Sequence, residues 1–145
     1  MKAMEARTML LAQHAALRQQ VEVCTRLAKL YREGADVACE LDEALAELRE
    51  QFAEHNQAET EIIAQLLHGP SAWGSLLVDR MLEEHVAEHA AFWDILQGNH
   101  DEMASRIDDL AEEIDAHMLA EERTFLSPVT LHDDTIRIRT REDPL

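Results

Sequence analysis

The sequence predicts an all-α fold, an antiparallel up-down-up-down four-helix bundle over residues 1–128 followed by a short C-terminal tail over 129–145. Three observations predict it. Four segments each carry an almost unbroken apolar seam at 4-3 spacing, which holds the members of a seam on one inward helix face. Ala, Leu, Glu and Arg dominate, whereas the 145 residues include only 4 glycines and 3 prolines, a balance that suits helices. Short turn-forming stretches separate the four segments, and short connections make consecutive helices antiparallel neighbours. The length fits one domain with a sizeable core.

The first segment carries the seam Leu10, His14, Leu17, Val21, Cys24, Ala28 and Tyr31. Gly34 follows it as the expected C′ residue, where a left-handed backbone stops a helix. Asp36 then reads as the N-cap of the second helix, whose seam is Leu41, Leu45, Leu48, Phe52, His55, Glu59, Ile62 and Leu66. His68-Gly69-Pro70-Ser71 divides the second helix from the third, because proline cannot continue a helix and Ser71 can cap the next. The third seam is Val78, Leu82, His85, His89, Phe92 and Leu96, closed by Gly98. Asn99 opens the fourth helix, with Glu102 three residues on as a capping-box partner. Its seam runs Met103, Ile107, Leu110, Ile114, His117 and Glu121, and Ser127-Pro128 is expected to end it.

The formal charge of -17 excludes nucleic acid and anionic membrane as partners, since phosphate recognition needs a basic stripe. No apolar run has the length of a membrane span. The first residues lack a signal-peptide core, so the cytoplasm, or a compartment within it, is the expected location. Cys24 reads as a small buried hydrophobe and Cys39 as a partly exposed thiol, with no CxxC spacing between them. The tail is different in kind. Thr135-Ile136-Arg137-Ile138-Arg139-Thr140 alternates apolar and basic residues with no second strand nearby. It reads as a disordered or bundle-clinging tail, or as an extended peptide that docks on a partner.

The unusual feature lies in the seams themselves. Five histidines (His14, His55, His85, His89 and His117) and two glutamates (Glu59 and Glu121) occupy positions that should bury hydrocarbon. Buried without partners, each would cost roughly 2–7 kcal/mol or more. At 1.5 Å per residue, His14 and His55 lie about 30 Å from the first turn, and His55 and His85 differ in height by roughly 3 Å. His85 and His117 differ by about one helical turn, which His89 closes. The seven therefore share one level of the bundle.

His55 with Glu59, His85 with His89, and His117 with Glu121 are i, i+4 pairs, which present both side chains to one point. A lone HxxxE is common by chance, and a lone core histidine is usually structural. Three such pairs level with a fourth histidine are neither. Seven ligands are too many for one tetrahedral zinc and suit two five- or six-coordinate ions sharing the carboxylates. Imidazole and carboxylate without thiolate favour iron over manganese or zinc. His68, His100 and His132 read as surface residues, Glu122 as a backup ligand, and the flanking Glu54, Glu83, Glu84 and Glu88 mostly as solvated. A carboxylate holding an outer imidazole N–H is nevertheless expected somewhere among them.

His14-Ala15-Ala16-Leu17-Arg18, His55-xxx-Glu59, Glu84-His85-xxx-His89 and His117-Met118-xx-Glu121-Glu122, with Pro128 downstream, together resemble the hemerythrin and HHE cation-binding family over residues 1–128. The resemblance implies two iron ions, oxo- or hydroxo-bridged. His85, His89 and His117 would hold one and His14 and His55 the other, with Glu59 and Glu121 between them. It implies a site for O2, peroxide or NO on the iron with fewer histidines. The chain departs from oxygen-carrying members in placing Glu121 four residues after His117, where they have an aspartate five after. The expected function is a non-heme di-iron protein that binds or senses O2 or a related small oxidant, as a monomer or homo-oligomer. The alternative is an iron-handling cargo or accessory protein recruited to a partner or protein shell through its tail.

Overall fold

In a computed structural model the described residues, 3–67, 75–124 and 126, form four helices and no strand. These are α1 (Ala3–Arg32), α2 (Ala38–Leu67), α3 (Ser75–Leu96) and α4 (His100–Arg123). The side chains of residues 66–82, including the expected seam members Leu66, Val78 and Leu82, lie outside the description. So do the expected 68–71 turn with its Ser71 cap, Pro128, and the whole tail over 129–145. Among the described residues no helix is long and apolar enough to cross a membrane.

α1 stops as the sequence predicts. Gly34 takes φ 92°, its N–H bonds to the Tyr31 carbonyl, and the Ala35 N–H reaches back to Leu30. That pair of bonds is a Schellman closure, and it satisfies carbonyls that the helix end would leave orphaned. α2 begins one position later than Asp36 would set: the first helical bond runs from the Leu41 N–H to the Val37 carbonyl. Asn99 caps α4 as expected, its side chain accepting the Glu102 N–H at 2.9 Å. Glu102 answers through the Asn99 side-chain amide at 3.2 Å, not through the backbone as in a full capping box. α4 also ends before Pro128 could act. Thr124 is its C-cap, with its N–H shared between Ala120 and Glu121 and its hydroxyl donated to Ala120, and the Leu126 N–H bonds back to Glu121. Local hydrogen bonds, not the proline, close this helix.

Every seam residue whose side chain is described is buried, apart from Tyr31, Phe92 and His117, which are half-buried. Cys24 is buried, Cys39 is exposed, and both are free thiols. The apolar side chains divide into two clusters. The larger is built from Leu17, Leu45, Phe52, Leu96, Ile107 and Ile114 with their neighbours. The other joins Ala6, Leu10, Ile62 and Leu126. Along α1 the two meet on either side of His14, so a polar layer crosses the bundle between them. Contacts join α1 to α2 and α4, and α3 to α2 and α4. Polar pairs span them at successive heights. Arg7 donates to the Leu126 carbonyl, Arg18 to Asp115, and Arg32 to the Ala104 carbonyl, while Tyr31 donates to Asp101. Gln20 reaches the Ala44 carbonyl, and Arg49 the Leu96 carbonyl.

Candidate metal centre

The polar layer is made by the seven predicted residues. α1 supplies His14, α2 supplies His55 and Glu59, α3 supplies His85 and His89, and α4 supplies His117 and Glu121. Six of them are at most 6 % exposed, and His117 is half-buried at the rim. Their donor atoms gather into two overlapping groups within which all lie inside 4.8 Å of one another. One group is Glu59, His85, His89, His117 and Glu121; the other is His14, His55, Glu59 and Glu121. Both glutamates belong to both groups.

Glu59 is the hub. Its Oε2 lies 2.7 Å from His55 Nε2 and 3.2 Å from His14 Nε2. Its Oε1 lies 2.6 Å from His85 Nε2 and 3.4 Å from His89 Nε2. Glu121 Oε1 stands 2.9 Å from His117 Nε2, and Oε2 stands 3.8 Å from His85 Nε2. His89 Nε2 and His117 Nε2 face each other at 3.1 Å. All five imidazoles thus turn Nε2 inward. Yet Glu59 Oε1, both oxygens of Glu121 and His55 Nε2 are buried without a hydrogen bond of acceptable geometry. Apart from the His14 Nε2–Glu59 Oε2 contact, which has hydrogen-bond geometry, these short N···O separations fit lone pairs converging on common points. Atoms arranged in this way could hold a metal ion.

The outward nitrogens are held from neighbouring helices. His14 Nδ1 is 3.0 Å from Glu122 Oε2, and Arg18 donates to both oxygens of that carboxylate at 3.1 Å. His55 Nδ1 is 2.8 Å from Gln13 Oε1. His117 Nδ1 is 2.6 Å from Glu88 Oε2. An acceptor on Nδ1 fixes the tautomer and leaves the Nε2 lone pair free to face inward, which is the usual support for a metal-binding imidazole. Phe52 and Phe92 back the rings edge-on, at 5.9 Å from His89 and 5.5 Å from His117.

These supports are what sequence reasoning missed or misjudged. Glu122, read as a backup ligand, stands against His14 Nδ1 as a brace, and a basic residue one turn after that histidine, Arg18, was the available signal. Glu88 is one of the flanking acids taken as mostly solvated, and it holds His117. Gln13 carries no signal at all, because an amide next to a seam histidine is unremarkable. His100, read as a surface residue, is half-buried, with Nδ1 2.9 Å from Asp42 and its ring against Tyr31.

Charge in the layer is lopsided. Burial alone would raise the Glu59 pKa, but His14, His55, His85 and His89 outweigh it and hold this carboxyl far below the usual range. Burial pushes Glu121 the other way, up to about 12, and the facing Glu59 carboxylate adds to the shift. Two carboxylates this close cannot both ionise without a nearby cation. His89 and His117 are shifted downward, first by burial and then, against the pull of acids, by the neighbouring imidazoles. Both rings are therefore neutral near pH 7, the form in which imidazole binds metals. Thiolate plays no part, as neither donor group includes a cysteine.

Comparisons of the chain with protein-family models, curated proteins and solved structures give no match.

Proposed function

We propose that this chain is a hemerythrin-like, non-heme di-iron protein that binds or senses O2 or a related small oxidant such as peroxide or NO. One observation carries the reading. His14, His55 and His117 each stand between an acceptor on Nδ1 and a carboxylate oxygen near Nε2. A neutral imidazole has one N–H and can satisfy only one such acceptor. Three rings in this position, in a layer between two apolar clusters, call for positive charge at the centre. Cations supply it and let both glutamates ionise.

In this reading His85, His89 and His117 hold one ion and His14 and His55 the other, with Glu59 and Glu121 within reach of both. The nitrogen and oxygen donor set without sulfur favours iron. Bound iron would supply electrons and a coordination position for the oxidant. The smaller donor group, with two histidines, is the one with room for that position. Leu17, Phe52, Leu110 and Ile114, all buried, keep bulk water off the layer and slow loss of a small apolar guest. Tyr31, the sole tyrosine, hydrogen-bonds Asp101 at the far end of α1, so it serves no proton transfer at the centre. That favours binding or sensing over rapid turnover. The antiparallel up-down-up-down arrangement is supported by pairings that run in opposite senses along α1 and α4, from Arg7 with Leu126 to Arg32 with Ala104.

Anaerobic loading of the stripped protein with Fe2+, followed by metal analysis and absorption spectra before and after O2 or azide, tests the proposal. Two irons per chain and a visible absorption that responds to both reagents are expected. A colourless protein that takes up zinc and no iron would overturn it.

A further inference from the structure

Three cavities on the described part of the bundle differ in what they lead to. Between α1 and α4, a cavity of about 310 Å³ is lined by Arg18, Ile114, Asp115 and Met118; it offers a guanidinium and no residue of the donor groups. Between α2 and α3, a cavity of about 530 Å³ reaches His89 past Val86, Ala90 and Trp93, and its α2 wall is polar with one carboxylate, Glu61. The smallest of the three, about 180 Å³, lies between α3 and α4 and is lined by Glu84, His85, Glu88, His117 and Glu121, among others. Its outer side carries the exposed Glu84 and Glu88, one turn apart and therefore on one face of α3. Its inner side carries Glu121, 3 % exposed, with neither oxygen in a hydrogen bond of acceptable geometry.

We propose that this cavity is the port through which a divalent cation reaches the buried layer, with Glu84 and Glu88 as the outer receiving pair and Glu121 as the inner acceptor. The inference rests on the metal-centre reading above and adds the route. A hydrated dication sheds water reluctantly, so it needs oxygen ligands that replace its hydration in steps. The α3–α4 cavity provides such steps, from exposed carboxylates to a buried one; the α2–α3 cavity has one carboxylate, Glu61, and no buried one to follow it. Carboxylates at a narrow mouth also concentrate cations and raise their rate of arrival. Glu88 has a second role in the passage. Its 2.6 Å contact with His117 Nδ1 keeps that ring at the rim of the cavity, so a cation that draws Glu88 away frees the ring beside its own path.

The test is Co2+ uptake by the full-length, metal-stripped protein, followed by stopped-flow absorption, with release into excess chelator measured separately. Glu84→Gln removes the outermost charge of the port and leaves the Glu88 contact with His117 in place. Glu112→Gln, at an exposed position on α4, makes the same change in net charge elsewhere. The port variant is expected to slow uptake about threefold, to slow release as well, and to flatten the dependence of uptake on salt, with the number of cations bound per chain unchanged. The control variant keeps the original rate. Uptake by the port variant at the original rate, or equal slowing in the control, would overturn the port. So would a fall in the number of cations bound, which would make Glu84 part of the binding set itself. If the unaltered protein binds no Co2+, no Fe2+ and no other divalent cation, the metal-centre reading falls first, and the two failures are thereby told apart.

Discussion

Glu59→Gln is the sharpest single perturbation of the layer. The substitution keeps the shape of the side chain and one carbonyl oxygen but replaces a carboxylate that touches four imidazoles. Because Glu59 belongs to both donor groups, one substitution should weaken both cation positions. A ligand present at a hundred times its Kd stabilises the folded state by about 2.7 kcal/mol per site, so two sites contribute about 5 kcal/mol. At roughly 3 °C per kcal/mol for a chain of this length, loading should raise Tm by about 15 °C. In Glu59→Gln that increment should fall below about 3 °C, as neither position keeps its affinity. Differential scanning calorimetry on chelator-stripped protein, repeated with anaerobic Fe2+ in excess, measures both increments, and metal analysis of the same samples counts the ions. A variant that keeps two ions and the full rise in Tm would refute the assignment of Glu59. A different result would refute the whole layer as a metal centre: no response of the unaltered protein to cations, combined with a loss of about 3–5 kcal/mol in metal-free Glu59→Gln. That pattern is what breaking a buried polar network costs.

Other outcomes follow from the same geometry. Glu121 holds its proton at pH 7 in the metal-free protein, since its pKa is pushed up to about 12, and it must lose that proton to bind a cation; apparent affinity should therefore rise about tenfold per pH unit while one proton is displaced. A pH-stat titration should record the proton released on loading, Glu121→Gln should release one fewer, and an affinity flat between pH 6 and 8 would contradict the protonated state. Removing the brace of His14 by Glu122→Ala should weaken the His14–His55 position by about 10–100-fold and leave the other nearly intact, read as a drop toward one ion per chain at limiting metal. Deleting residues 129–145 should abolish co-purification with any partner that the tail recruits; unchanged association would remove the docking role.

The seams made most of the fold and the seven residues of the polar layer legible, because burial at 4-3 spacing depends on a residue's own helix face and little else. His14, His55 and Glu59 sit at the heights expected from counting residues back to a turn, since an α-helix rises by a constant increment. What the spacing could not carry was rotation between helices. Gln13 neighbours His14 in sequence and braces His55 on α2, a pairing fixed by how α1 and α2 face each other. Glu122 and Glu88 were visible as carboxylates near the seam histidines, but which ring each would grip depends on packing across α1–α4 and α3–α4. Helix ends were legible where backbone geometry demands one residue, as at Gly34. They were misread where no backbone requirement fixes the residue. Val37 stands where Asp36 was expected, and the hydroxyl and N–H of Thr124 close α4 at Arg123 before Pro128 is reached.

The outer contacts of the histidines run in one sense around the molecule: Glu88 of α3 grips a ring on α4, Glu122 of α4 grips one on α1, and Gln13 of α1 grips one on α2. Sliding α1 or α4 by one turn, about 5 Å, would break two of these grips, and sliding α2 or α3 would break one. The vertical alignment of the rods is thus locked at mid-height, by the interior, rather than at their tips. The linkers at 33–37 and 97–99 need only span the gap, and lengthening either by several flexible residues should cost less than about 1 kcal/mol. Insertions and fusions can be accepted there without loosening the middle.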